Sequence, residues 1–263
     1  MAQVSRSRLD ERLLKEGFCE SRQKAQALIM AGAVLVDGQV AHKAGQAVAD
    51  ASTVTLRHTP MPFVSRGGVK LAAALRYFSV DVTGLRGIDI GSSTGGFVDC
   101  LLQAGAAQVI AVDVGYGQLA QKLRNDPRVT VLERQNARHL TLEQLPYGPN
   151  LATCDASFIS QTLLLPHLLP LLAPQSPVLT LVKPQFEVEK HNVGEGGVVR
   201  DPALHEAAIL RCVRMAEKLG CEVRGVVPSP IRGPKGNVEF VLFAVTPARK
   251  TDVKEALKEE TRS

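Results

Sequence analysis

The stretch GIDIGSSTGGFVDCLLQAGAAQVIAVDVG, residues 87–115, constrains the fold more than any other part of the chain. Ile88 to Ile90 is a short apolar run that stops at Gly91, and Gly91, Gly95 and Gly96 surround the turn that follows. Phe97, Leu101 and Ala104 then recur at helical spacing, with Gly105 placed to end the helix. Val109 to Val112 is a second apolar run, closed by Asp113. Strand, glycine turn, helix and strand in that order predict a parallel βαβ unit. In such a sheet, ligands bind at the carboxyl ends of the strands.

The turn discriminates between nucleotide-like cofactors. A dinucleotide fingerprint, Gly-x-Gly-x-x-Gly, uses its second glycine to admit a pyrophosphate. Here the order is Gly-Ser-Ser-Thr-Gly-Gly, and Ser93 stands at that position. Asp89, two residues before the turn, suits a cationic ligand better than a diphosphate. Asp113, ending the second strand, can accept hydrogen bonds from two ribose hydroxyls. Ser93 and Asp89 together favour S-adenosylmethionine, whose amino acid and sulfonium need no phosphate cradle. A ligand-free βαβ unit is the plainer reading, but it leaves the joint occurrence of glycines and strand-terminal acid unexplained.

Composition narrows the class. The chain has 263 residues, 45% of them hydrophobic, which is enough for one large domain and one small. The most apolar stretch, LLLPHLLPLLAP (163–174), is too short to span a membrane and carries His167 and three prolines. The N-terminal residues have no apolar core of the kind a signal peptide needs. Five cysteines form no Cys-x-x-Cys pair, so reduced thiols, a cytoplasmic location and no metal site are expected. A net charge of +5 permits an anionic partner without demanding one.

Two prolines in HTPMPF (58–63) interrupt the pattern and predict a linker. Before it, Ser7 is placed to cap a helix carrying Leu9 and Leu13, and Ser21 a second carrying Ala25, Leu28 and Ile29. AVLVDGQVA (33–41) then reads as two short strands around Asp37-Gly38, a hairpin signal. Arg8, Arg12, Arg22, Lys24 and Lys43 make this small module basic, while Asp10, Glu11, Glu16 and Glu20 offset much of that charge. The residues alone leave an RNA-docking surface and an ordinary solvated face equally open.

After the linker, Ser65 is placed to cap a helix burying Leu71, Leu75 and Phe78, with Lys70 near its start. Asp155 ends the probable strand LATCD, Lys183 ends VLTLV, and Glu239 lies within NVEFVLFAV. Strand ends give Asp155 and Lys183 a physical reason to face a bound cofactor. A ribose 2′-hydroxyl is a very weak acid, so its attack on a methyl group needs a base. A lysine whose neutral form is favoured by burial or by a second cation can serve. Lys183 is the candidate, with Lys70 as the second cation and Asp155 and Glu239 orienting the two amines.

Residues 7–48, with an Arg-x-Leu-Asp opening, a Ser-Arg pair and a Val-Leu-Val-Asp-Gly hairpin, resemble the alpha-L RNA-binding module of a small-subunit ribosomal protein and of pseudouridine synthases. Five further motifs, VSRGGVKLAAAL, the βαβ stretch, CDASFIS, LVKPQFE and GNVEFVLF, together resemble the TlyA or haemolysin-A-like family of ribosomal RNA 2′-O-methyltransferases. The resemblance covers nearly the whole chain. It implies an α/β fold: a class I, Rossmann-like methyltransferase domain with a seven-stranded, mostly parallel sheet, preceded by a small α+β alpha-L domain. The expected boundaries are 1–58 for the RNA-binding domain, 59–64 for the linker, 65–247 for the FtsJ-like catalytic domain and 248–263 for a charged tail that is solvated or disordered.

The same resemblance implies that Lys70, Asp155, Lys183 and Glu239 form the catalytic tetrad. Gly91, Ser92, Ser93, Gly95, Gly96, Phe97 and Asp155 should border the methionine part of S-adenosylmethionine, joined by Asp89. Asp113 should hold the ribose, and Asn136 and Ala137 the adenine, although Asn136 could equally cap a turn. Arg66, Arg232 and Lys235 join the five basic residues of the small module as RNA contacts, and the glycine-rich stretch 187–201 suits a mobile flap. The implied partner is ribosomal RNA in ribosomal subunits, at cytidines, with no membrane, no metal and a monomeric state. Two other classes compete: a nicotinamide-dependent oxidoreductase, and an RNA-binding or membrane-active protein without catalysis. The first fails on glycine spacing, and the second leaves the four charged positions unexplained.

Overall fold

Residues 5–57 and 61–248 are described by the computed structural model. The chain divides into two compact units, with the boundary between Pro60 and Met61. Part of the expected linker and the stretch 249–263 lie outside the described residues.

The small unit contains β1 (Arg6–Arg8), α1 (Leu9–Lys15), α2 (Arg22–Met30), β2 (Val34–Val36), β3 (Gln39–Val40), β4 (Ala47–Ala49) and β5 (Val54–Leu56). Ser21 caps α2 as predicted, its Oγ accepting from the Lys24 amide at 3.2 Å. Asp37 and Gly38 both take positive φ, 50° and 80°, and turn β2 into β3. Ser7 does not cap α1. It sits in β1, paired with Val48 of β4, because this long-range ladder takes the segment that local spacing assigns to a cap. Leu9, Leu13, Ala25, Ile29 and Val34 fill the core.

The large unit begins with α3 (Arg66–Tyr77), β6 (Arg86–Ile90), α4 (Gly96–Gln103), β7 (Gln108–Val112), α5 (Gln121–Arg124), β8 (Val129–Leu132) and β9 (Leu151–Cys154). It continues through α6 (Gln161–Leu168), β10 (Pro177–Val182), α7 (Pro184–Glu187), α8 (Pro202–Lys218), β11 (Glu222–Pro228) and β12 (Phe240–Val245). The seven strands lie in the order β11-β12-β10-β9-β6-β7-β8. Only β12 runs against the others.

Alternation along the strands sends side chains to two faces. Leu179, Leu181, Val109 and Ala111 pack with residues of α3, α4 and α5, while Val178, Val182, Ile110 and Val112 pack with α6 and α8. The apolar run 163–174 is spent on this second core, with Leu164, Leu165, Leu168 and Leu172 buried. Among the described residues no helix is long and apolar enough to cross a membrane. Residues 61–64, expected as linker, pack onto the large unit: the Val64 amide donates to Asp99 Oδ2 at 2.8 Å.

Candidate active site

Register places the site. Ile90 pairs with Val112 and with Cys154, so Gly91, Asp113 and Asp155 all leave the sheet at one edge. Lys183 follows β10 at the same edge. Because β12 is antiparallel and Phe240 pairs with Val182, the residue that enters β12 reaches this edge as well. That residue is Glu239, which precedes the strand rather than lying within it.

A cavity of about 410 Å³ opens at this edge, and Lys70, Asp89, Asp155, Lys183 and Glu239 all line it. Two ion pairs organise it. Lys70 Nζ, buried on α3, pairs with Glu239 Oε2. Lys183 Nζ lies 2.7 Å from Asp155 Oδ1 and also donates to Ser157 Oγ at 2.9 Å and to the Asp155 carbonyl at 3.3 Å. Both lysines are 7% exposed and Glu239 is 2% exposed, so three of the four charges meet little water. Gly233 allows this packing, since a Cβ there would meet Glu239 Cδ at 3.1 Å.

Asp89 is buried at the base of the turn. Its Oδ1 accepts from Thr153 Oγ1 at 2.7 Å, whereas Oδ2 has no hydrogen-bond partner among the described residues. Burial pushes its carboxyl well above the usual range, the carboxylates of Asp155 and Asp113 add to the effect, and the Thr153 hydrogen bond opposes it. An unpartnered acid lining the cavity calls for a cation, which fits the amino group or sulfonium of S-adenosylmethionine. Gly91, Ser92, Ser93, Gly96 and Phe97 also line the cavity.

The glycines serve packing as much as ligand approach. A Cβ on Gly91, at φ 78°, would come within 3.0 Å of the Ala156 backbone. A Cβ on Gly96 would meet Ser65 Oγ and, at 2.9 Å, the Gly68 amide of α3. Gly95, at φ 95°, abuts Leu119 and Leu123 and is not part of the cavity wall. Asp113 lies outside the wall too, with Oδ2 accepting from the Ser93 amide at 2.8 Å and Oδ1 from Gly115 at 2.6 Å. Asn136 takes its alternative role: Oδ1 accepts from the Arg138 amide at 3.1 Å and caps the turn Ala137–His139, in which Ala137 is buried. Neither residue lines the cavity.

Several lining residues are not legible from spacing. Ser157 and Gln185 stand two residues after Asp155 and Lys183, and proximity to those strand ends is the only signal that could have found them. Phe158, at φ 65° and 90% exposed, stacks near Phe186 at 5.2 Å on the lip. The stretch 187–201, expected as a flap, has fixed points near its end. Asn237 ties it down, accepting from Val199 N at 3.0 Å and donating to Gly197 O at 2.8 Å.

The basic residues differ in how free they are. Arg12 is turned inward, its guanidinium shared among the carbonyls of Ala49, Asp50 and Ser52 and the carboxylate of Glu16. Arg8 and Arg22 stand half-exposed around buried Asp10, whose carboxyl their hydrogen bonds hold well below the usual range. Lys24 pairs with Glu20, and Lys43 is exposed. In the large unit, Arg66 donates to the Arg232 carbonyl at 2.9 Å, and Lys235 lines the cavity. No group of acids, histidines and cysteines among the described residues could hold a metal.

Seven strands in this order, with the last reversed and a charged cavity at the carboxyl edge, define a class I methyltransferase fold. Comparison with known proteins agrees. Residues 63–245 match the FtsJ-like methyltransferase family and residues 7–53 match the S4 domain, the small RNA-binding module expected there. The chain is 48% identical over 242 residues to the "16S/23S rRNA (cytidine-2'-O)-methyltransferase TlyA" of Mycobacterium tuberculosis, covering 92% of this chain and 90% of that one. It is 40% identical to "Hemolysin A" of Brachyspira hyodysenteriae, covering 89% and 98%. The solved structure "Putative hemolysin from Streptococcus thermophilus" matches with a TM-score of 0.71 and 38% identity, over 99% of this chain and 98% of that one. The chain therefore belongs to the FtsJ-like methyltransferase family, in its TlyA group, with an S4 domain ahead of the catalytic one. Its cofactor is S-adenosylmethionine.

Proposed function

We propose that this enzyme methylates the 2′-hydroxyl of a cytidine ribose in ribosomal RNA, within a ribosomal subunit. The pairing of two buried lysines, Lys183 with Asp155 and Lys70 with Glu239, carries the reading. Bound at the glycine turn, S-adenosylmethionine supplies an electrophilic methyl group. Lys183 is the base. Its Nζ donates to Ser157 Oγ and to the Asp155 carbonyl and lies 2.7 Å from Asp155 Oδ1, contacts that hold the nitrogen at the strand end where the ribose hydroxyl must arrive. The neutral amine takes the hydroxyl proton as the oxygen attacks the methyl group. Lys70, held by Glu239, positions the ribose. Asp89 takes the donor's cationic end, Asp155 and the turn from Gly91 to Phe97 border its methionine portion, and Asp113 serves its ribose. Asn136 and Ala137, at the capped turn, lie on the adenine side.

The S4 unit, residues 1–58, docks folded RNA through Arg8, Arg22, Lys24 and Lys43, with Arg12 bracing the fold beneath them. Residues 59–64 connect it to the catalytic domain, 65–247. Arg66, Arg232 and Lys235 meet the phosphates beside the target, and the exposed Phe158 offers a face for a base. A monomer working in the cytoplasm, where its substrate resides, completes the reading. A membrane-active role, which the name of one relative invites, gains no support from a fold whose long apolar run is core.

Nucleoside analysis of subunit RNA after incubation with enzyme and donor tests this. A new 2′-O-methylcytidine is expected. A methyl group on a base instead of the ribose would overturn the proposal.

A further inference from the structure

Lys235 borders two cavities. One is the site above, and the other is a cleft of about 300 Å³ walled by Arg200, His205, Arg232 and Lys235, with no carboxylate in its lining. Among the described residues, Arg200 and Lys235 have no ion-pair partner, and Arg232 donates only to the Gly236 carbonyl, at 3.1 Å. The adjacent acid, Asp201, is engaged at the start of α8, accepting from the Ala203 amide at 2.9 Å.

The wall is also built to stay in place. Asn237, 2% exposed, staples Gly197 and Val199 to the loop that carries Arg232 and Lys235. The His205 ring is fixed by Nε2, which donates to the Val199 carbonyl at 2.8 Å. Arg66, one turn before Lys70 on α3, holds the Arg232 carbonyl and so ties the cleft to the catalytic helix.

We infer that this cleft is a phosphate subsite for the RNA backbone immediately beside the target ribose. The inference rests on the ribose-methylation reading and adds Arg200, which that reading does not use. A ribose delivered to Lys183 brings a phosphodiester on each side, within one nucleotide. Lys235 lines both cavities, so the cleft adjoins the place where that ribose must sit. Clustered cations without acids, beside the catalytic pocket, fit a phosphodiester. Arg200 is a positioning residue: it holds the strand so that the hydroxyl meets the base.

The test compares Arg200→Gln, Arg200→Lys and the double variant Arg200→Gln/Lys235→Gln with the wild type. Affinity for each purified ribosomal subunit is measured across a salt series, with melting temperature and S-adenosylmethionine affinity recorded on the same proteins. Arg200→Gln is expected to weaken subunit binding about tenfold at low salt and to lower the slope of log affinity against log salt by about 1. Arg200→Lys restores most of that slope, the double variant lowers it by about 2, and donor affinity in Arg200→Gln stays at the wild-type value. An unchanged slope in Arg200→Gln overturns the subsite, whatever the double variant shows, because Lys235 already meets a phosphate in the methylation reading. So does a loss of affinity that tracks a fall in melting temperature, because packing and not charge would then explain it. The methylation reading itself fails on a separate measurement, donor binding and methyl transfer by the wild type, so the two failures are distinguishable.

Discussion

Asp89 is a carboxylate buried without a full set of partners, and its energetic consequence has a definite sign. Its folded pKa lies above the unfolded value, so the stability it contributes to the ligand-free protein is present below about pH 4 and is lost as pH rises through the folded value. A cationic donor reverses this preference, because it stabilises the ionised acid. S-adenosylmethionine affinity is therefore expected to rise with pH until Asp89 is fully ionised, and to become flat in Asp89→Asn. Calorimetric titration across pH checks this, and an affinity that ignores pH in the wild type contradicts the role given to Asp89. At the same scale, Lys43 is exposed and Arg22 half-exposed on the S4 unit. Lys43→Glu is expected to weaken binding to ribosomal subunits several-fold at low salt and less at high salt, while leaving donor affinity unchanged. Filter-binding at two salt concentrations decides it.

The packing of α3 on α4 sets the position of Lys70, and Gly96 is where the two helices come closest. Adding one methyl group there presses on Ser65 and on the Gly68 backbone. Gly96→Ala is expected to cost about 1–3 kcal/mol of stability and to reduce methyl transfer by displacing Lys70. Chemical denaturation measures the first and a transfer assay the second. Features set by local grammar were legible in the sequence. Ser21 and Ser65 cap their helices, Asp37-Gly38 makes its turn, and Asp155 and Lys183 end their strands. Features set by long-range pairing were not. Ser7 reads as a cap until β4 claims it, and Gly95 and Gly96 read as ligand contacts although neighbouring helices and side chains also demand glycine. The inward turn of Arg12 and the staple by Asn237 depend on segments roughly forty residues away, beyond the reach of spacing arguments.

As a whole molecule, the chain joins a small unit that carries exposed positive charge to a larger one whose carboxyl edge gathers Lys70, Asp89, Asp155, Lys183 and Glu239. The topology explains how positions spread over 170 residues meet. Asp155 and Lys183 leave strands at one edge, and Asp89 lies just inside that edge in β6. Lys70 comes from the helix packed beside them, and the reversal of β12 brings Glu239 there. Substitutions on the S4 surface are expected to act on affinity for RNA without touching donor binding, and substitutions at the strand ends to act on transfer. The central claim is that Lys183 is the base for ribose methylation, and one measurement addresses it directly. Labelled methyl groups from S-adenosylmethionine are offered with each purified ribosomal subunit to the wild type and to Lys183→Ala, and donor binding is measured in parallel. The account predicts label in the RNA of at least one subunit with the wild type, and none above background with a variant that still binds the donor. Near-normal transfer by Lys183→Ala would contradict it.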